Sequence, residues 1–407
     1  MLSWVKSAAQ STLATVAGTA EPIYGPEAFH TVAKQESLNP SNEITKEDMG
    51  WNVLETTSVE TQTFYLNADS GHHGLVQVIY SNVANLHFTV QLSTKIFHPD
   101  GKIVWSSRPV TNYGFDVGNY SFYADNMAIT MSEDGNSYSI KSMVDPELSI
   151  DLTCTRLGPG FKIGRDGKSL YGTDPADPWG AIRHIFWPRN KLTGCMVVAE
   201  DGDPVKIDFS GSAMLVMALQ AMKPHHAGAP AKWNFANFQG PTMCAVMMEF
   251  TTPPSYGSSK VNVSGIVTDG EIIGASACGT VEHLKTKLDE EAGWPEPTEA
   301  KFVWKSNRDG KDVEAVIEGS LGDRIDRVDV MAEVPAFIKK IASSAAGTKP
   351  YIYQVSLKPP TIQMPPFVYK ADDYKQYSKQ MTLKVKIGDQ VIEEEGKFFG
   401  EATYICE

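Results

Sequence analysis

Cysteine is scarce and scattered. The chain has five, Cys154, Cys195, Cys244, Cys278 and Cys406, with no CxxC pair and no metal-ligand spacing among them. Neither a disulfide framework nor a cysteine-based metal site is expected, and a reducing cytosol suits such a chain. Positive charge is also short: 36 Lys and Arg stand against 49 Asp and Glu, a formal net charge of -13. Nucleic-acid affinity rests largely on clustered cations, so nucleic acid is not an expected partner. Long apolar runs are missing as well. A spanning helix takes about 20 predominantly apolar residues, and the opening MLSWVKSAAQSTLATVAGTA is broken by Ser3, Lys6, Ser7, Gln10, Ser11, Thr12 and Thr15. The same breaks spoil the apolar core of a signal peptide. No GxSxG elbow, HExxH helix, P-loop or dinucleotide-binding glycine fingerprint occurs, so no motif names a catalytic residue, a metal or a cofactor. His72-His73 and His225-His226 are adjacent pairs whose side chains diverge, with no third ligand at a useful spacing.

What the opening does contain is a helical stripe. At about 100° per residue, Leu2, Val5, Ala9, Leu13 and Val16 gather on one side and Ser3, Ser7, Gln10 and Ser11 on the other. Gly18 can end the helix, and Pro22 discourages its continuation. Trp4 lies at the edge of the stripe, where an indole suits headgroup depth. The polar face holds one Lys, so attraction to anionic lipid is weak, and residues 1–20 read as a reversible membrane-binding helix for neutral, loosely packed bilayers. Its contact residues are Met1, Leu2, Trp4, Val5, Ala9, Leu13 and Val16. The rival reading packs the same stripe on the protein itself.

From residue 60 onward, period-two patterns dominate. Phe88, Val90, Leu92 and Ile96 alternate with polar neighbours, as do Leu148, Ile150, Leu152 and Cys154, and Met381, Leu383, Val385 and Ile387. These predict half-buried strands. Asp-Gly pairs begin at 100, 134, 166, 201, 269 and 309, many of them between alternating runs, the strongest short-range hairpin signal. The expected class is antiparallel all-β. Helical periodicity is confined to residues 334–342, VPAFIKKIA, with a second candidate at 279–293, GTVEHLKTKLDEEAG. The stretch 133–144 is loosely echoed by 308–319, which hints at duplication. Residues 223–241, rich in Pro, Gly and Asn, read as a linker or lid, and 356–367 as a proline-rich loop. The domain division falls at 21–215 and 216–407.

One segment is chemically dense. DPWGAIRHIFWPRN, residues 177–190, places Trp179, Arg183, His184, Trp187 and Arg189 within a short span. Either its aromatics line a cavity where Arg and His hold a ligand amide or hydroxyl, or it closes a barrel and its arginines cap backbone carbonyls. SFYADNMAI, residues 121–129, similarly offers Tyr123, Asp125 and Asn126, or else a polar network that fixes a bend.

These stretches, together with AEPIYG, ETQTFYLN, QVIYSNVANLHFTVQ and EDGNSYSIKS, closely resemble the fungal survival factor 1 family. The resemblance covers nearly the whole chain and is most specific in its first half. It implies two lipocalin-like antiparallel β-barrels in tandem behind an N-terminal amphipathic helix, with a retained, acetylated Met1. It further implies a non-vesicular carrier of ceramide or a related neutral sphingolipid, moving cargo between endoplasmic reticulum and Golgi and supporting survival under oxidative stress. The implied location is the cytoplasm, peripherally on cis-Golgi and endoplasmic reticulum membranes, with the nucleus as a further compartment; no obligate protein partner follows. Carriage has a physical rationale, because about 30 methylenes at about 0.8 kcal/mol each oppose unaided passage of a two-chain lipid through water. Tyr123, Asn126, Trp179, Arg183, His184 and Trp187 are the candidate ligand-binding residues. The rival is a tandem lipocalin-type hydratase or hydrolase using His184 and Asp125 as acid and base, which would need them within hydrogen-bond reach of each other or of substrate. A third reading is a membrane-recruited scaffold whose barrels are filled solid by side chains.

Overall fold

The computed structural model describes residues 22–36, 43–83, 85, 87–200, 202–222, 231–322, 324–329, 351–356 and 381–405. The amphipathic helix of residues 1–20, the helical stretch 334–342 and the proline-rich stretch from 357 onward lie outside them. Among the described residues, no helix is long and apolar enough to cross a membrane.

The expected class holds: the described chain is almost all β, in two curled antiparallel sheets. Each is built to one plan. In the first, a four-strand meander (Thr57–Ala68, His73–Val83, His87–Phe97, Ile103–Pro109) lies beside Gly211–Met222, followed by Gly180–Glu200, Leu148–Arg156, Ser137–Asp145 and Met127–Met131. In the second, the meander Lys232–Gln239, Met243–Thr251, Lys260–Thr268 and Ile272–Ser276 lies beside the long strand Gln390–Tyr404. Beyond it come Met381–Ile387, Lys311–Ser320, Pro295–Arg308 and Thr280–Leu288. The echo between 133–144 and 308–319 thus has a counterpart in topology, each stretch forming an Asp-Gly turn and the strand after it. At the second turn, Asp309 and Gly310 both take positive φ, 50° and 78°, as a two-residue hairpin requires. Side chains stitch the curled edges. In the first sheet, Ser106 and Arg108 reach from an edge strand to the Asp145 carboxylate, Arg108 Nε at 3.0 Å. In the second, Ser276 Oγ donates to the Lys305 carbonyl.

The sheets stand back to back, each with its own interior. Alternation decides which residue goes where. On Gly211–Met222, Ala213, Leu215 and Met217 point into the first sheet's core, whereas Met214, Val216 and Met222 join a seam between the halves with Phe161, Phe186, Phe235, Val246 and Val263. At that seam, Tyr65 stacks on Phe235 with ring centroids 4.7 Å apart. Arg189 donates across it to the carbonyls of Gly240 (3.0 Å) and Pro241 (2.6 Å) and pairs with Asp269.

Two local expectations are corrected. Residues 279–293 do not form a helix: Thr280–Leu288 is an edge strand paired with Pro295–Arg308 through two register shifts. Of the stretch 223–241 read as a linker or lid, residues 223–230 lie outside the described ones, and Lys232–Gln239 is a strand. The last strand of the first sheet ends at Met222 and the first strand of the second begins at Lys232.

Candidate functional site

Strand Thr57–Ala68 buries Ser58, Glu60 and Gln62 on the same face as Phe64, Leu66 and Ala68. Strand register turns that stripe into rungs across the first interior. Tyr80, Glu60, Leu219 and Arg183 lie side by side on four neighbouring strands; Val78, Gln62, Met217 and Ile185 form the next rung, and Val76, Phe64, Leu215 and Trp187 the one after. The interior therefore grades from charged, through a single amide, to apolar and aromatic.

The charged end is covered by residues 44–54. Ile44, Met49 and Trp51 are buried in the first core, Trp51 packing against Phe115 and Phe122. Polar contacts fasten the segment. Both Asp48 carboxylate oxygens accept from Lys162 Nζ at 2.7 Å, and Arg183 donates to the Asp48 carbonyl at 2.8 Å and the Asp166 carbonyl at 3.1 Å. Burial pulls the Arg183 guanidinium down from its ordinary pKa, against the upward pull of Asp48, Glu60 and Asp166. Asn82 donates to the Leu54 carbonyl at 2.9 Å. Glu60, only 2% exposed, accepts from the Asn52 backbone N–H at 2.8 and 3.0 Å, the Asn52 amide at 2.8 Å and the Val53 N–H at 3.0 Å. Val53 holds φ at 48°, a left-handed conformation that is a genuine outlier for a β-branched residue.

Below this cover, polar groups stand without normal partners. Among the described residues, the Trp51 and Trp187 indole N–H groups and the Ser58 hydroxyl make no hydrogen bond. The fully buried Gln62 amide stands beside the Tyr138 hydroxyl, without a bond of normal length and angle. Such groups cost about 1–3 kcal/mol each when left unsatisfied.

The six candidate ligand residues fall in three places. Arg183 and Trp187 face the first interior, Trp187 edge-on to Tyr138 at 5.6 Å and 5.8 Å from the Arg156 guanidinium. His184 and Trp179 face the seam: His184 packs against Phe186 and Phe250, and Trp179 Nε1 donates to the Tyr256 hydroxyl at 3.0 Å. Burial and the neighbouring Arg183 hold the His184 imidazole down at about 4. Tyr123 and Asn126 are exposed around a turn of the first sheet. Asp125 is exposed there too, accepting from Thr111 and Asn112 at 2.9 and 2.7 Å, so it and His184 occupy different neighbourhoods. The arginines of the 177–190 segment cap backbone carbonyls, while Trp187 and Arg183 face an interior that side chains fill. Sequence reasoning missed Glu60, Gln62, Tyr80 and Val53. The available signal was Glu60 and Gln62 sharing the parity of Phe64 and Leu66.

Described residues line at least two recesses. One, lined by Ile44, Met49, Arg156 and Trp187 among others, holds about 10 Å³, the room of one water. Another is an open groove of about 440 Å³, lined by Asn126, Met143, Asp151 and Val197 among others. The first interior itself is filled by Phe64, Phe122, Tyr138 and Trp187, and the second by Phe302, Trp304 and Phe398.

The profile of the Svf1 family matches residues 3–406. The ceramide-binding protein svf-1 of Neurospora crassa is 50% identical over 408 residues, covering 100% of both chains. The ceramide-binding protein svf1 of Aspergillus fumigatus is 50% identical over 409 residues, covering 99% of this chain and 100% of its own. The Schizosaccharomyces pombe ceramide-binding protein svf1 is 37% identical over 417 residues, covering 100% of both. In fold, the chain is similar to CghA bound to Sch210972 (TM-score 0.57, 10% identity, 93% of this chain and 98% of that one). It is also similar to an AttH protein of Nitrosomonas europaea (TM-score 0.53, 13% identity, 90% and 98%).

Proposed function

The chain belongs to the Svf1 family, and from that premise we propose that it binds ceramide and carries it between membranes. The observation that carries this reading is the 50% identity, end to end, with a protein named for ceramide binding. The graded interior supports it. A ceramide presents an amide and hydroxyls at one end and two acyl chains behind them, the same order in which the rungs run from Glu60 and Arg183 through Gln62 to Phe64, Leu215 and Trp187. Because side chains fill that interior, lipid entry requires the covering residues 44–54 to move and the core to repack around the chains. The lipid would in turn satisfy the unpartnered Gln62, Ser58 and indole groups.

In this reading residues 1–20 dock reversibly on endoplasmic reticulum and cis-Golgi membranes through Leu2, Val5, Leu13 and Val16, with Trp4 at the headgroups. Weak attachment releases the loaded carrier, and lowering free ceramide supports survival under oxidative stress. The test is extraction of lipids from the purified full-length chain followed by mass spectrometry. Ceramide enriched over its share of the host lipids is expected; a lipid profile matching the host's overturns the reading.

A further inference from the structure

Resting on that reading, we infer that Glu60 is the headgroup acceptor and that Asn52 and Val53 occupy the headgroup's seat in the lipid-free protein as a built-in competitor. A carboxylate offers only acceptors, and here both oxygens are saturated by two backbone N–H groups and one side-chain amide, all from adjacent residues. A sphingoid amide supplies one N–H donor of the same kind, and its neighbouring hydroxyls supply further donors as O–H groups. The seat therefore already holds a chemical likeness of its ligand, on a tether.

Three observations make the likeness displaceable rather than permanent. Val53 is held at φ 48°, so leaving the seat relieves backbone strain. The Trp51 indole, which travels with the segment, has no hydrogen bond among the described residues, and water would offer it one. Ser58 and Gln62 flank Glu60 on the same strand face, are 3% and 0% exposed, and lack bonds of normal geometry, so they stand ready for further headgroup atoms. Tyr80 and Arg183 stand on the same rung as Glu60, and the titrations of both feel its charge.

The chemistry sets selectivity. A buried acceptor-only group favours neutral lipids with several headgroup donors and rejects phosphate-bearing ones by like-charge repulsion. It gains little from diacylglycerol, whose single hydroxyl is its only donor.

The test uses the full-length chain with phosphatidylcholine vesicles carrying a fluorescent short-chain ceramide or the matching diacylglycerol. Binding is titrated, and amide exchange at Asn52 and Val53 is followed by mass spectrometry. In wild type, ceramide is expected to speed exchange at both amides at least about tenfold, because their acceptor is taken. Glu60→Gln is expected to weaken ceramide about tenfold or more while leaving diacylglycerol within about twofold. Val53→Gly, which relieves strain in the seated state, is expected to weaken ceramide severalfold. If wild type takes up no ceramide, the functional reading itself fails. If it does, yet both amides stay protected and Glu60→Gln binds normally, the inference alone is overturned. Should Glu60→Gln not fold, the exchange result on wild type decides.

Discussion

His73, His184 and His283 are each held down at about 4, mainly by burial, and so are neutral in the folded chain at neutral pH. Unfolded, each titrates near about 6.5. Below that value the unfolded chain binds more protons than the folded one, so stability present above about pH 6.5 is lost as pH falls toward 4, by up to about 1.4 kcal/mol per unit per residue. The expected outcome is a urea midpoint that falls between pH 7 and pH 5.5. Buried Glu249 and Glu401, whose carboxyls are pushed up, act in the opposite direction. The discriminating comparison is therefore His184→Phe, which keeps the stack against Phe186 and Phe250 and should show a shallower fall than wild type. An identical pH slope in both proteins would remove His184 from this account. At this scale the sequence was only partly legible. It named Arg183, His184 and Trp187 as a group, but neighbours on a strand point to opposite faces, so the fold divides them between interior and seam.

Among the elements, Gly211–Met222 separates two tasks by parity. Met217 faces the first interior on the Gln62 rung, and Met214 faces the seam. Truncating either to Ala should cost about 2–5 kcal/mol of stability, but only Met217→Ala should change ceramide loading, as read by parallel denaturation and lipid-uptake assays. Equal effects on uptake would mean that parity does not separate the tasks. Parity also explains what could be read in advance. Leu148–Arg156 and Met381–Ile387 each bury one face and expose the other, so their alternation announced them. Lys232–Gln239 buries both faces from Phe235 onward, leaving no alternation, and its Asn and Gly neighbours made it look like loop. Thr280–Leu288 fails in the opposite sense. It is a mostly exposed edge whose Lys and Glu guard against pairing with other chains, and those same residues are good helix formers.

For the molecule as a whole, duplication of one sheet plan was hinted at by a short echo, but the seam was not foreseeable. The sequence offers carbonyl capping as a role for the arginines of 177–190, but not that the carbonyls Arg189 reaches are those of Gly240 and Pro241 in the other half. The seam buries Phe161, Phe186, Met214 and Val216 on the first half alone, an apolar area too large to leave in water. Residues 22–222 produced by themselves should aggregate or bind a hydrophobic dye strongly, whereas the full chain should do neither. A soluble, dye-silent fragment would show that the halves are independent domains.

The central ribbon has a mechanical corollary. The side chains of Gly211–Met222 serve the first interior on one side and the packed seam on the other, so the strand cannot bulge into one without pulling away from the other. A guest that distends the first interior would shift the seating of Met214 and Val216 against the opposite sheet.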